Sequence, residues 1–260
     1  MPLLVDSHCH INFEPLGAQL DALFDRARLN GVGHMLCVAV NLEDYPQVLA
    51  LAHAHPQVFA SVGVHPNERD GRDPDAAEIG ALAGEARVVA IGETGLDYYR
   101  SNGDMGWQHR RFREHIRAAR SVLKPLIIHT REAAADTLRI LKEEGAHDVG
   151  GVMHCFTEDW DTARQALDMN FYISFSGIVT FRNATALRAV AAQVPADRLL
   201  IETDAPYLAP MPYRGKTNEP AYVRHVAECL AEVRGVSFET IAEHTTRNFF
   251  TLFCHAQPTQ

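Results

Sequence analysis

The sequence lacks several features that define other classes of protein. Its five cysteines are an odd number and form no Cys-x-x-Cys pair, which argues against a disulfide framework and favours reduced thiols in the cytoplasm. No apolar run is long enough to cross a membrane, and the initial "MPLLV" is too short for the apolar region of a secretory signal. These absences predict a cytoplasmic protein without a membrane anchor.

An excess of positive charge is also missing. The chain carries 24 Lys and Arg residues against 33 Asp and Glu residues, so its formal net charge is −9. A field of this sign repels polyanions, and nucleic acid would bind only where a local cationic site overcomes the repulsion. The composition therefore disfavours simple electrostatic adsorption to DNA or RNA.

What the sequence does contain is an alternation of short apolar runs with longer amphipathic segments. Strands are predicted at 3–8, 33–40, 58–65, 88–94, 125–130, 151–156, 171–177 and 199–204. Helices are predicted at 16–31, 107–122, 131–145, 220–235 and 237–253. Eight buried strands that alternate with helices predict a (β/α)₈ TIM barrel, a single domain over residues 1–260. The rival is a doubly wound open sheet, but no G-x-G-x-x-G follows the first strand.

Chemically active side chains fall where these predicted strands end. They are His8, His10, His65, Glu93, His129, His154, Glu202 and Asp204. In a (β/α)₈ barrel the carboxyl ends of all the strands meet at one rim, and the active sites of such enzymes lie there. We therefore expect these side chains to converge on one site.

The stretch "DSHCH" is the most informative of these strand ends. Side chains alternate along a strand with a period of two, so His8 and His10 share a face and Cys9 points away from it. Two adjacent imidazoles would each leave a ring nitrogen unsatisfied, whereas a metal ion satisfies both. Asp6 lies one layer deeper on that face. It is expected either to accept the second ring N–H of a ligand histidine or to be purely structural.

The size of the candidate set indicates two divalent metal ions. Four histidines and two carboxylates are too many for one tetrahedral zinc, but they suit two ions roughly 3.5–4 Å apart. Glu93 is the predicted bridge, and Asp204 is predicted to accept a proton from a metal-activated water. The other ligands are expected to be His8, His10 and Asp204 at one ion and His129 and His154 at the other. This ligation favours Zn, Mn, Fe, Co or Ni over Mg, and the metal's identity stays open.

Taken together, the motifs resemble those of the TatD family of metal-dependent hydrolases, within the amidohydrolase-like superfamily. They are "DSHCH", "GVHP", "IGETGLDYY", "IHTR", "HCF", "SGIVTFRNA", "ETDAPYLAP", "RGKTNEP" and "TTRNFFTLF", in this order from residue 6 to about 253. The resemblance implies a (β/α)₈ barrel with one, two or sometimes three divalent metals. It implies a deoxyribonuclease, in some members a 3′–5′ exonuclease, while some relatives remove D-amino acids from mischarged tRNA. The family's ligand positions fall on His8, His10, Glu93, His129, His154 and Asp204.

Substrate contacts are expected from loops that open on the same rim, because an acidic protein that cleaves phosphodiesters needs local hydrogen-bond donors. The candidates for substrate binding are His65, Arg131, Arg214, Lys216 and Asn218. The last three lie in "RGKTNEP", which we interpret as a phosphate-binding loop. Candidates for stacking on bases are Tyr98, Tyr99, Trp107 and Phe181.

Three functions stay open on the sequence alone. The first is hydrolysis of phosphodiester bonds in DNA or another nucleic acid. The second is carbonyl chemistry, such as D-aminoacyl-tRNA deacylation, because the ligand set describes the nucleophile and not the electrophile. The third is a metal-stabilised barrel that only binds a partner, which six intact ligands disfavour. No membrane contact and no obligate protein partner are expected.

Overall fold

The computed structural model describes residues 3–101 and 103–258, and its centre is one parallel sheet. Eight strands pair in chain order, each parallel to the next. They are β1 (Leu4–Cys9), β2 (Val32–Cys37), β3 (Val58–Val62), β4 (Val88–Asp97), β5 (Leu126–Arg131), β6 (Gly151–Met153), β7 (Phe171–Phe175) and β8 (Leu199–Ile201). A bridge between Cys9 and Ala205 closes the sheet, and the His10 amide donates to the Ala205 carbonyl at 2.7 Å. The predicted (β/α)₈ barrel is confirmed.

Helices surround the barrel. In the part of the chain that the structure describes, the α-helices are α1 (Leu20–Leu29), α2 (Tyr45–Ala54), α3 (Ala76–Leu82), α4 (Gly106–Val122), α5 (Ala134–Glu143), α6 (Trp160–Asp168), α7 (Thr185–Gln193), α8 (Val223–Arg234) and α9 (Phe238–Leu252). All five predicted helices are among them. Helix α5 begins three residues later than predicted, because Arg131 still belongs to β5 and Glu132 has a φ of 53°, which no helical residue adopts.

Helix α9 closes one end of the barrel. Its Phe249, together with Phe253 directly after the helix, packs into a cluster to which every strand contributes, so this cluster fills the barrel interior. The strand members of the cluster are Val5, Leu36, Phe59, Val89, Ala90, Ile127, Val152, Tyr172 and Leu200, and Val38 joins them directly after β2. Asn248 of α9 donates to the carbonyl of Leu199, at the beginning of β8. Full burial of one phenylalanine is worth roughly 1.5–3 kcal/mol. The opposite end, where the strands finish, is left for the site.

Two observations bear on the features that the sequence lacks. All five cysteines are free thiols, and Cys9 and Cys37 are fully buried. Within the described residues, none of the helices combines the length and the apolar character needed to span a bilayer.

Gly95 marks the closest approach between β4 and β5. Its φ is 138°, and an added Cβ would stand 2.0 Å from the carbonyl oxygen of His129. We expect Gly95→Ala to lower the free energy of unfolding by roughly 3–5 kcal/mol, because both the backbone angle and the strand separation would have to change. Urea denaturation followed by circular dichroism measures this loss.

Gly235→Ala is the matched control for that substitution. Gly235 ends α8 with a φ of 64°, but an added Cβ would meet nothing within 4 Å. It should therefore lose only the roughly 1–2 kcal/mol of a left-handed residue. Equal losses in the two variants would mean that β4 and β5 absorb the extra methyl group without strain.

Candidate metal centre

Glu93 lies at the centre of a group of imidazoles at the carboxyl ends of the strands. Its Oε2 is 3.3 Å from Nε2 of His8 and 3.9 Å from Nε2 of His10. Its Oε1 is 2.8 Å from Nε2 of His154 and 3.0 Å from Nδ1 of His129. Each oxygen of the carboxylate therefore faces its own pair of ring nitrogens, which is the arrangement that a carboxylate bridging two ions requires.

Two further side chains join this group. Asp204 Oδ1 lies 3.5 Å from Nε2 of His10 and 3.7 Å from Nε2 of His8. The Asp204 amide donates to the His8 carbonyl at 2.9 Å, which ties the segment after β8 to β1. His65, predicted as a substrate contact, has Nε2 3.4 Å from Glu93 Oε1, and its Nδ1 accepts from the Asn67 amide at 3.0 Å. The structure thus brings together all six predicted ligands, and His65 lies beside them with its Nε2–H directed at Glu93.

Three of the histidines share one pattern of hydrogen bonds. His10 Nδ1 bonds the Val38 carbonyl at 2.9 Å, and His154 Nδ1 bonds Glu202 Oε1 at 3.2 Å. The same outward bond joins His129 Nε2 to Asp97 Oδ2 at 3.2 Å. Each outer nitrogen faces an oxygen acceptor and so carries the ring proton. In the neutral ring the inner nitrogen then presents a lone pair to the carboxylates.

This pattern fits a metal ion better than a set of hydrogen bonds. A lone pair that faces a carboxylate oxygen is repelled unless a proton or a cation lies between the two atoms. In addition, the two Nε2 atoms of His8 and His10 are only 3.3 Å apart, and the rings of His8 and His154 stack at 4.0 Å. Divalent ions would satisfy all of these inner atoms, while the outer bonds orient the rings as they do around metals generally. The donor set therefore fits resident metal.

The carboxylates of the cluster are ionised. Burial alone would raise the pKa of Glu93, but the imidazoles of His154 and His65 and the bond from His129 outweigh it and hold the pKa well below its ordinary value. For Asp204, burial is likewise outweighed, chiefly by the bond to His10, and the pKa is lowered. Two negative charges therefore face the ring nitrogens, as a cation site requires.

The imidazoles divide into two classes. Burial lowers the pKa of His65 to about 3 and also lowers the pKa of His8, so both rings are neutral at pH 7. For His10, His129 and His154 burial is outweighed by the neighbouring carboxylates, and the pKa of each ring is raised. Metal binding would displace protons from these three rings, so the metal affinity of the cluster should increase with pH.

Of its two expected roles, Asp6 has the structural one, and it does not orient the ring of a ligand histidine. Its Oδ1 accepts from the Thr203 amide at 2.9 Å, and its Oδ2 accepts from Thr203 Oγ1 at 2.5 Å. Burial raises its pKa to about 8. His8 Nδ1 finds no hydrogen-bond partner among the residues that the structure describes. The expectation that Asp6 orients a ligand histidine is therefore wrong, because the chain after β8 occupies its oxygens.

Asp97 and Glu202 orient ligand histidines, a role that was not predicted from the sequence for either residue. Asp97 lies beyond the predicted end of β4 at residue 94, but the strand continues to residue 97. A signal was present, since Asp97 and Glu93 are four residues apart and so have the same parity along one strand. Glu202 was marked only as a strand end. Its Oε1 also accepts from the Cys155 amide at 2.8 Å.

Asp97→Asn should weaken metal binding at the cluster. The Asp97 carboxylate accepts from His129 Nε2, from Asn67 Nδ2 at 2.7 Å and from the Arg100 amide at 2.9 Å. The NH₂ group of an asparagine side chain would face one of these three N–H groups, and the two donors would repel each other. We expect metal affinity or turnover to fall roughly 10–100-fold, as for other residues that orient metal ligands. Titration of the metal-free protein with Mn²⁺ or Zn²⁺ in a calorimeter measures the affinity.

The control for this variant is Asp25→Asn, on exposed surface of α1. It should bind metal as the unaltered protein does. An unchanged affinity in Asp97→Asn would mean that the bond to His129 does not orient that ring for metal.

A pocket of about 670 Å³ opens over the cluster. Arg131 lines it, and its guanidinium carbon lies 3.8 Å from the centroid of the Tyr99 ring. Arg214 and Lys216 are exposed in the loop after β8, outside this lining, where Arg214 stacks on Phe181 at 4.4 Å. Of the predicted substrate contacts, the structure therefore brings only His65 and Arg131 to the pocket.

Asn218 is not free to contact a substrate. It is fully buried, and its Nδ2 donates to the carbonyl of Thr203 at 2.8 Å and to that of Tyr207 at 2.6 Å. Its Oδ1 accepts from the Glu219 amide at 2.9 Å. The predicted contact of Asn218 with phosphate is corrected accordingly: the side chain ties together the two ends of the loop that carries Asp204.

Tyr98 and Trp107, both predicted to stack on bases, are partly buried and already have partners within the protein. The Tyr98 hydroxyl donates to Asp136 at 2.6 Å, and Trp107 lies beside the guanidinium groups of Arg69 and Arg111. Tyr99 is 58% exposed and lies under Arg131.

Comparison with known proteins gives concordant results. A family model described as TatD related DNase matches residues 5–254. An uncharacterized metal-dependent hydrolase of Escherichia coli K12, YcfH, is 51% identical over 254 residues, which cover 96% of this chain and 95% of that protein. A protein of Cronobacter sakazakii named 3′–5′ ssDNA/RNA exonuclease TatD is 37% identical over 240 residues, covering 90% of this chain and 91% of its own.

A solved structure is similar over nearly the same length. The crystal structure of YJJV, a TatD homologue from Escherichia coli K12, superposes with a TM-score of 0.90 at 30% sequence identity. The match covers 96% of this chain and 98% of that one.

Proposed function

The chain belongs to the TatD family of metal-dependent hydrolases, and from that premise we propose that it is a nuclease that removes nucleotides from the 3′ end of single-stranded DNA. The observation that supports this most strongly is Glu93, whose two oxygens face two separate groups of ring nitrogens. A pair of metal ions held in this way suits in-line displacement at phosphorus. The relative named as an exonuclease supports the choice of a nucleic-acid substrate. The five free thiols accord with the cytoplasmic location that we propose.

Each part of the cluster has a proposed role. We assign His8, His10 and Asp204 to one ion, and Glu93 to both. His129 and His154 are assigned to the other ion, while His65, whose Nδ1 accepts from the Asn67 amide, keeps its Nε2–H for a hydrogen bond to Glu93 or to substrate. Ions held by these residues would lower the pKa of a bound water and draw charge from a phosphoryl oxygen. Asp204 accepts the proton of the attacking water and returns it to the leaving oxygen. Arg131 hydrogen-bonds a non-bridging oxygen of the substrate.

The test is a time course on a 5′-labelled single-stranded oligonucleotide with Mg²⁺, Mn²⁺ or Zn²⁺ added. We expect a ladder that shortens one nucleotide at a time from the 3′ end, and a chelator should stop it. A 3′-phosphorothioate linkage should slow the first step. D-aminoacyl-tRNA is incubated in parallel. Release of the amino acid while the oligonucleotide stays intact would favour carbonyl hydrolysis and overturn the proposal.

A further inference from the structure

Tyr207 is an exposed aromatic residue on the wall of the catalytic pocket. It lies three residues after Asp204, lines the pocket and is 54% exposed. A large aromatic side chain usually gains its stability by burial, and when it is presented to solvent beside a binding site it commonly serves as a contact surface. Tyr207 was not among the stacking residues predicted from the sequence.

The backbone of Tyr207 is held on both sides although its ring is exposed. Its amide donates to the Asp204 carbonyl at 2.9 Å, and its carbonyl accepts from Asn218 Nδ2 at 2.6 Å. Asn218 is fully buried, so the donor of the second bond is held in place and shielded from water. A ring presented by a fixed backbone loses little conformational freedom when a ligand covers it.

The pocket has two chemically different sides. Tyr207, Leu208 and Ile178 lie in the segments after β7 and β8, and they give that side of the pocket an apolar surface beside Asp204. Arg100 and Arg131 lie after β4 and at the end of β5, across the barrel from β8 in the strand order. A nucleotide has the same division, with an apolar base face and an anionic phosphate. The volume of about 670 Å³ falls within the roughly 300–1,000 Å³ typical of small-ligand pockets.

Resting on the proposed function, we infer that Tyr207 is the platform on which the base of the 3′-terminal nucleotide stacks. The phosphate of that nucleotide then lies over the metal cluster, towards Arg131. The enzyme then binds its substrate through the face of the terminal base as well as through the phosphate. It should accept all four bases, because every base presents a π-face and stacking needs no hydrogen-bond pattern.

The test uses two 5′-labelled oligonucleotides that differ only at the 3′ end, where one carries an ordinary nucleotide and the other an abasic tetrahydrofuran nucleotide. The unaltered protein should remove the ordinary nucleotide with a kcat/KM roughly 5–150-fold higher, which is the range expected for one stacked base. In Tyr207→Ala the ratio should fall to about one, with the rate on the abasic substrate unchanged. Tyr207→Phe should keep the ratio, because the ring remains.

Tyr99→Ala is the matched control, since Tyr99 is similarly exposed at 58% but lies under Arg131 on the phosphate side. It should slow both substrates equally. A ratio near one in the unaltered protein, or an undiminished ratio in Tyr207→Ala, would overturn the stacking role. An equal loss on both substrates in Tyr207→Ala would do the same. If the unaltered protein degrades neither oligonucleotide, the proposed nuclease function itself fails.

Discussion

Glu93→Gln should reduce kcat/KM on single-stranded DNA by at least roughly 1,000-fold, because several kcal/mol of transition-state stabilisation depend on the two ions that it is proposed to bridge. The substitution keeps the size of the side chain but replaces one oxygen with an NH₂ group. That group must face either His8, 3.3 Å from the present Oε2, or His154, 2.8 Å from the present Oε1. Either orientation removes one ligand oxygen and one negative charge, so at least one ion should be lost.

Metal content and turnover should be measured on the same preparation. Protein dialysed against a trace of Mn²⁺ or Zn²⁺ is assayed for bound metal by mass spectrometry and for oligonucleotide cleavage. Glu243→Gln serves as the control, because Glu243 is exposed on α9 at the opposite end of the barrel. It should keep both properties. A Glu93→Gln protein with a full metal complement would refute the bridging role, and one with normal turnover would show that the active site lies elsewhere.

The fold was predictable because each strand is buried on both faces. The first part of β4, Val88–Ile91, touches the inner cluster on one side and the helices on the other, so its sequence is an unbroken apolar run. Eight such runs separated by amphipathic segments leave few alternatives to a barrel. The ligands were predictable for a related reason. A carboxylate or imidazole that interrupts the end of a buried run costs stability unless it has a partner.

The partners of these ligands were harder to predict, because they depend on contacts between distant parts of the chain. Asp6 and Thr203 are bonded although 197 residues separate them, and no local pattern distinguishes this bond from one to a neighbouring histidine. Asn218 lies in a basic loop that resembles a phosphate site, yet its amide turns inward to Thr203 and Tyr207. Direction of a side chain in a loop is set by the backbone path, which strand periodicity does not describe.

The ends of the strands were the other source of error, and they affect the site directly. The prediction ended β4 at 94, three residues before Asp97, and extended β6 and β8 beyond Met153 and Ile201. In both of the latter strands the pairing stops before the candidate ligand. Cys155, directly after His154, has a φ of 44°, and Asp204 has a φ of 58°. At Cys155 and Asp204 the backbone thus leaves the sheet in a left-handed conformation, and both side chains line the pocket. The spacing of apolar residues does not predict such turns.

Asp204→Asn should lower kcat on single-stranded DNA by roughly 100–10,000-fold, the range for loss of a proton acceptor. Asparagine is the appropriate replacement because it tolerates a φ of 58° nearly as well as aspartate, whereas alanine would add backbone strain to the loss of the carboxylate. The affinity for the oligonucleotide, measured by fluorescence anisotropy with Ca²⁺ in place of the active metal, should change little.

Asp204 is also a candidate ligand, and the metal dependence of the variant separates this role from proton transfer. The Asp204 carboxylate lies 3.5 Å from His10 Nε2, and an asparagine oxygen still offers one neutral donor there. If the carboxylate acts mainly on the proton, turnover stays low at saturating Mn²⁺, because occupancy does not restore an acceptor. If turnover instead returns as Mn²⁺ is raised, Asp204 only holds the ion. Asp161→Asn, on exposed surface of α6, should show neither effect. A kcat within about threefold of the unaltered protein at every metal concentration would exclude both roles, since loss of either should cost more than roughly tenfold.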